Sequence, residues 1–133
     1  MIEEFSNPFV EKIKNAVEDE NFLFVYHNCG QITPLMDKID SLDAKAYSIS
    51  NAIDIEDALK GLSSDSLVIG NIDPAGVLRG GAPESVKAET LALLERCSKY
   101  PNFIIASGCD IPPATPLANL DAFFEAVAQF YSK

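Results

Sequence analysis

Phe22-Leu23-Phe24-Val25-Tyr26-His27-Asn28-Cys29-Gly30 is a short apolar run that ends abruptly in a polar tetrapeptide. Phe22 to Tyr26 has the composition of a parallel strand covered on both faces, because such strands read as continuous apolar runs and not as an alternation. The same pattern recurs at Ala46 to Ile49, at Leu67-Val68-Ile69-Gly70 and at Phe103 to Ala106. Helical patterns fill the intervals. Asn7-Pro8 reads as an N-cap and first helical position, with Phe9, Val10, Ile13 and Val17 following at helical spacing, so a helix is predicted from about Pro8 to Glu18. Ile32, Leu35, Met36 and Ile39 share one helical face, and Ile55, Ala58, Leu59 and Leu62 share another. Asn71-Ile72-Asp73-Pro74 has the composition of a turn opening a short helix. Pro83 begins a long helix with Val86, Leu91, Leu93, Leu94 and Cys97 as inward positions, and Thr115-Pro116 caps a last one carrying Leu120, Phe123, Phe124 and Val127.

The result is one helix followed by four βα units, which predicts an α/β fold with parallel strands and right-handed crossovers. No internal repeat or linker interrupts residues 1–133, so a single domain is expected. A closed (β/α)₈ barrel needs eight such units. The chain is therefore either a small open-sheet domain or half of a barrel whose other half lies elsewhere.

With 133 residues, the chain can withdraw roughly two-thirds of its unfolded surface from water. Hydrophobic residues at 47% and charged ones at 23% are ordinary for a globular protein, and no apolar run is long enough to cross a bilayer. The acidic opening Met1-Ile2-Glu3-Glu4 is unlike a signal peptide. A net charge of −10 repels phosphate backbones and anionic lipid, so neither nucleic acid nor membrane is expected as a partner. Three cysteines, an odd number, point to a reducing compartment and a cytoplasmic location.

The chemistry concentrates at strand ends. His27 and Cys29, two apart, face the same side if the strand is still extended there. Cys109 closes the run Ile104-Ile105-Ala106-Ser107-Gly108. Two thiolates and a neutral imidazole suit a zinc ion with one position left open. Packing is the alternative duty for such a histidine, and buried cysteines also act as small hydrophobes. Geometry separates the two readings. Strands about 4.8 Å apart would put the ends of the first and fourth roughly 14 Å from each other in a flat sheet, beyond zinc bonds of about 2.0 to 2.3 Å. Only a curled sheet, or inward-folding loops, brings the three together.

Asn71 and Asp73 are candidates to hydrogen-bond a substrate, a cofactor or a zinc ligand, with turn formation and capping as the alternative. Cys97 lies on an apolar helix face, where packing is expected. Gly80-Gly81 before Pro83-Glu84 is a flexible helix entry and lacks the pattern of a phosphate cradle. Asp110 either orients an incoming group or caps a helix, and the prolines at 112, 113 and 116 stiffen a loop over the strand ends.

Taken in order, His27-Asn28-Cys29-Gly30, Gly70-Asn71-Ile72-Asp73-Pro74, Leu78-Arg79-Gly80-Gly81-Ala82-Pro83-Glu84 and Gly108-Cys109-Asp110-Ile111-Pro112-Pro113 resemble the C-terminal half of the uroporphyrinogen decarboxylase superfamily. The likeness extends from about Phe5 to Tyr131. It is nearest to the zinc-dependent, cobalamin-linked branch that includes methylcobalamin:coenzyme M methyltransferases. The resemblance implies strands 5 to 8 of a TIM barrel, zinc held by His27, Cys29 and Cys109, and a thiol such as coenzyme M as methyl acceptor. It also implies a methylcorrinoid donor, as a corrinoid protein or methylcobalamin. The two exposed edges of a four-stranded sheet are expected to pair with an N-terminal half or a second copy. Two other functions stay open. One is porphyrinogen decarboxylation, whose branch keeps its essential aspartate and arginines mostly in the N-terminal half; the other is a non-catalytic binding or assembly module.

Overall fold

In the computed structural model, which describes residues 1–132, the four apolar runs form one parallel sheet in the order β1-β2-β3-β4. The strands are β1 (Val25–Asn28), β2 (Ala46–Ile49), β3 (Leu67–Ile72) and β4 (Phe103–Ser107). The helices are α1 (Ile2–Phe5), α2 (Asn7–Val17), α3 (Met36–Asp40), α4 (Ile55–Gly61), α5 (Pro83–Cys97) and α6 (Leu117–Tyr131). A 3₁₀ turn, Thr33–Leu35, leads into α3, and a π-helical turn, Pro74–Arg79, follows β3. The α/β class with parallel βα units is thus the observed fold.

Several boundaries differ from the sequence pattern, for reasons of pairing. β1 begins at Val25 and not at Phe22, because its partner β2 offers only four residues and the ladder starts at Val25 opposite Ala46. It therefore runs on through His27. Phe22 and Leu23 are left exposed. β3 continues two residues past Gly70, since Asn71 and Ile72 find partners in Ala106 and Ser107 of β4. Asn7, whose expected role was an N-cap, lies inside α2 and is buried, its Nδ2 donating to the carbonyl of Lys38 at 2.7 Å.

Register partners in a parallel ladder face the same way, so the two surfaces of the sheet can be read from the pairing. Tyr26, Tyr47, Ile49, Val68 and Ile72 point under the helices and are buried. The ring of Tyr47 meets that of Tyr26 edge to face, with centroids 6.2 Å apart. Its hydroxyl accepts from the Ala44 amide and donates to the Ile39 carbonyl, and burial pushes the phenol above its ordinary pKa. The opposite face carries Val25 and His27 of β1, Ser48 of β2, Ile69 of β3, and Ile104 and Ala106 of β4. Val25 and Ile104 remain 42% and 43% exposed, which marks this face as the uncovered one.

The outer layer is closed by α5 and α6. Val86, Thr90, Leu93, Leu94 and Cys97 bury one face of α5, and α6 meets the core through Asn119, Ala122 and Ala126. Phe124, one of the periodically spaced apolar positions of this helix, is 67% exposed, because small alanines form the buried stripe and place it on the far side. Cys97 packs in the core as its helix position predicts. Among the described residues, no helix is long and apolar enough to cross a membrane.

Candidate metal centre

His27 is the penultimate residue of β1, paired with Ser48 of β2. That register gives the imidazole a fixed neighbour. Its Nδ1 lies 3.1 Å from the Ser48 carbonyl oxygen and 3.0 Å from Ser48 Oγ. A carbonyl only accepts, so Nδ1 carries the proton and Nε2 keeps a lone pair, as metal-binding histidines require. Ser48 has no signal of its own in the sequence; only strand register brings it to the ring.

Cys29 follows the strand in a turn made by Asn28, whose Oδ1 accepts from the Gly30 amide at 2.8 Å. Such Asx turns redirect the chain sharply. The turn brings Cys29 Sγ to 2.9 Å from His27 Nε2. Cys109 arrives from the other end of the sheet. Its approach depends on Gly108, whose amide donates to the Ile72 carbonyl at 2.8 Å, and where any Cβ would stand 2.6 Å from the Asn51 nitrogen. The Ser107 hydroxyl then donates to the Cys109 carbonyl at 2.7 Å. Backbone can come this close only without a side chain.

The two sulfurs are 3.3 Å apart, and Cys109 Sγ lies 3.7 Å from His27 Nε2. A flat four-stranded sheet would hold the ends of its outer strands roughly 14 Å apart, so curling of the sheet and its end loops has closed that distance. Zinc bonds of about 2.05 Å to nitrogen and 2.3 Å to sulfur at tetrahedral angles place N and S about 3.5 Å apart and the sulfurs about 3.8 Å apart. The observed separations bracket the first value and fall about half an ångström short of the second, an adjustment within reach of side-chain torsions. Donor types, spacing and the oriented imidazole therefore fit a zinc ion. Among the described residues this is the one cluster of three such groups.

Electrostatics agree with the chemistry of the donors. The Cys29 thiol is held above its ordinary pKa, first by its hydrogen bond with Cys109, then by desolvation and by the negative charge of Cys109 and Asp110. Two thiolates this close repel, and a dication between them reverses that penalty. His27 and Cys29 are exposed and Cys109 is partly so, leaving the site open on the uncovered side of the sheet.

The other candidates sit nearby with duties of their own. Asn71 Nδ2 donates to the carbonyls of Ser50 and Ile53 at 3.0 and 2.8 Å, tying the end of β3 to the β2–α4 loop. Asp73 caps the π-helical turn, its Oδ1 accepting from Ala75 and Gly76 at 2.9 Å each. Both line a cleft of about 340 Å³ whose far wall is Glu89, Leu93 and Arg96 of α5. Asp110 is exposed beside the trio.

A family model described as uroporphyrinogen decarboxylase (URO-D) matches residues 1–130. The chain belongs to the uroporphyrinogen decarboxylase family. Within that family, it is 30% identical over 128 residues to the methylcobamide:CoM methyltransferase MtbA of Methanosarcina mazei, a match covering 96% of this chain and 36% of that protein. It is 29% identical over 126 residues to a uroporphyrinogen decarboxylase of Prochlorococcus marinus, covering 91% of this chain and 34% of that one. A solved methyltransferase from Methanosarcina mazei superposes with a TM-score of 0.84 at 25% identity, over 98% of this chain and 37% of the other. The chain spans about a third of the length of these relatives. Its four parallel βα units thus correspond to part of the TIM-barrel fold on which this family is built.

Proposed function

We propose that this chain carries the thiol-activating half of a zinc-dependent methyltransferase that moves a methyl group from a methylcorrinoid to a thiol such as coenzyme M, with His27, Cys29 and Cys109 as zinc ligands. The convergence of one imidazole and two thiols within 3.7 Å carries this reading. Likeness to proteins named methylcobamide:CoM methyltransferases supports it. Zinc bound there supplies a positive charge that stabilises an incoming thiol as thiolate at neutral pH.

The chain's own residues prepare that site. Ser48 holds the imidazole in the tautomer with Nε2 unprotonated. The Asn28 turn and the Gly108 contact aim the two sulfurs at the same point. All three ligands belong to this one chain, so the reading requires no residue from a partner to form the metal centre. Asn71 and Asp73, fixed at the end of β3, are assigned to contacts with the corrinoid or the substrate.

The methyl donor is a corrinoid protein or methylcobalamin. We assign residues 1–133 to one domain acting as a half-barrel. Among the described residues β1 pairs only with β2 and β4 only with β3, so two sheet edges are open. Such edges pair readily, and an N-terminal half or a second copy is the expected partner. A reducing cytoplasm suits a site built on two free thiols.

Elemental analysis of the purified chain beside His27→Ala tests the proposal. About one zinc per chain is expected in the first and a small fraction of that in the second. A metal-replete preparation with no stoichiometric zinc overturns it. That outcome would favour porphyrinogen decarboxylation, which the relatedness to decarboxylases allows and for which Cys29→Ser and Cys109→Ser are harmless, or a non-catalytic module.

A further inference from the structure

Cys29 and Cys109 are also placed to react with each other. Their sulfurs stand 3.3 Å apart at a sequence separation of 80, one after the first strand and one after the last. A disulfide requires about 2.05 Å, so a further approach of little more than 1 Å completes the bond. Cys29 is exposed and Cys109 partly so, open to a small oxidant in solvent, whereas Cys97 is fully buried in the core. No other intramolecular pair of cysteines can form, since the chain has three and the third, Cys97, is sequestered on the buried face of α5.

We propose that the Cys29–Cys109 pair is a reversible redox switch: a peroxide joins the two sulfurs in a disulfide that staples β1 to β4 and abolishes the metal site. The electrons balance in two steps. The exposed Cys29 sulfur attacks one oxygen of hydrogen peroxide, the O–O bond breaks, and a sulfenic acid and one water result. The Cys109 sulfur then attacks the Cys29 sulfur and displaces hydroxide, which takes up a proton and leaves as a second water. Two thiols have given up two hydrogens and two electrons, and the peroxide has taken both. A dithiol reductant reverses the reaction by thiol–disulfide exchange.

The switch rests on the sulfur geometry, with or without the zinc reading. Where zinc is bound, it holds both sulfurs as ligands, so metal and disulfide exclude one another. Oxidation locks the site closed, and reduction returns it to metal-binding form. The bridge also ties the two ends of an otherwise open sheet, which makes the oxidised chain harder to unfold.

The test uses the full chain, stripped with a chelator, treated with a slight excess of hydrogen peroxide and then counted for free thiols. The titre is expected to fall from three to one, with the intact mass lower by two hydrogens and a cross-linked peptide joining Cys29 to Cys109. Dithiothreitol restores all three thiols. Cys97→Ser behaves like the parent, with a titre falling from two to none, while Cys29→Ser and Cys109→Ser form no intramolecular bridge. Three persisting thiols, a bridge involving Cys97, or sulfinic acid at single cysteines without a bridge each overturn the proposal. Preloading with zinc separates the two readings. If the bridge forms but zinc never slows it, the switch stands and the metal reading fails; if zinc binds in a direct titration but the stripped chain forms no bridge, the reverse holds.

Discussion

Replacing His27 by alanine removes one of three converging donors and leaves two sulfurs 3.3 Å apart. A ligand that binds only the folded state stabilises it by about 2.7 kcal/mol at a hundredfold excess over its dissociation constant. Unfolding entropy of about 2.1 cal/mol/K per residue, over 133 residues, corresponds to about 0.28 kcal/mol per degree. Zinc at that excess should therefore raise the melting temperature of the parent chain by about 10 °C. Structural zinc sites with four ligands contribute about 10 to 16 kcal/mol, so losing one ligand costs about 3 kcal/mol, or roughly a hundredfold in affinity. At the same zinc concentration the variant then retains about 0.4 kcal/mol, a shift of only 1 to 2 °C by the same conversion. Differential scanning fluorimetry under reducing conditions, with and without zinc, reads both numbers. The Cys97→Ser variant serves as a control whose zinc shift matches the parent, because that sulfur is in the core and away from the site. Equal zinc shifts in parent and His27→Ala, or none in either, refute the reasoning.

Three further outcomes follow from individual contacts. Asp73→Ala should lower stability by about 1 kcal/mol in urea, the usual worth of a cap, and leave zinc affinity unchanged; a large loss of zinc affinity would mean that Asp73 supports the metal. Tyr47→Phe strands the Ala44 amide in the core, while the Ile39 carbonyl keeps the Leu42 amide as a donor, and should cost about 1 to 3 kcal/mol by chemical denaturation, so a neutral effect would show that the Ala44 amide finds another partner. The Glu56 carboxyl is held below its ordinary pKa first by its hydrogen bond with Lys99, with Lys60 and Tyr100 adding to it. A lowered folded-state pKa contributes stability that is present above the ordinary glutamate range and lost as pH falls through the folded value. Glu56→Gln should accordingly lower stability slightly at neutrality, leave it unchanged in acid below the folded value, and so flatten the acid limb of stability against pH; an unaltered acid limb would count against the pairing with Lys99.

Local chemistry in the chain was enough to establish the order of elements and to single out His27, Cys29 and Cys109 as candidate donors. Apolar runs at four places, helical spacing between them and Pro-marked helix starts are short-range signals, and each stands in the structure within a few residues of its expected position. Cys97 was legible as core from its place on a helix face. The ends of β1 and β3 were not legible, because a strand stops where its neighbour stops and pairing is a property of two segments. Ser48 was invisible for the same reason: it meets His27 only through register. Above all, tertiary structure decided whether His27, Cys29 and Cys109 meet. Curvature is the sum of strand twist and helix packing over the whole sheet, so no local pattern reports it, and together with the end loops it closes a gap between sulfurs 80 residues apart.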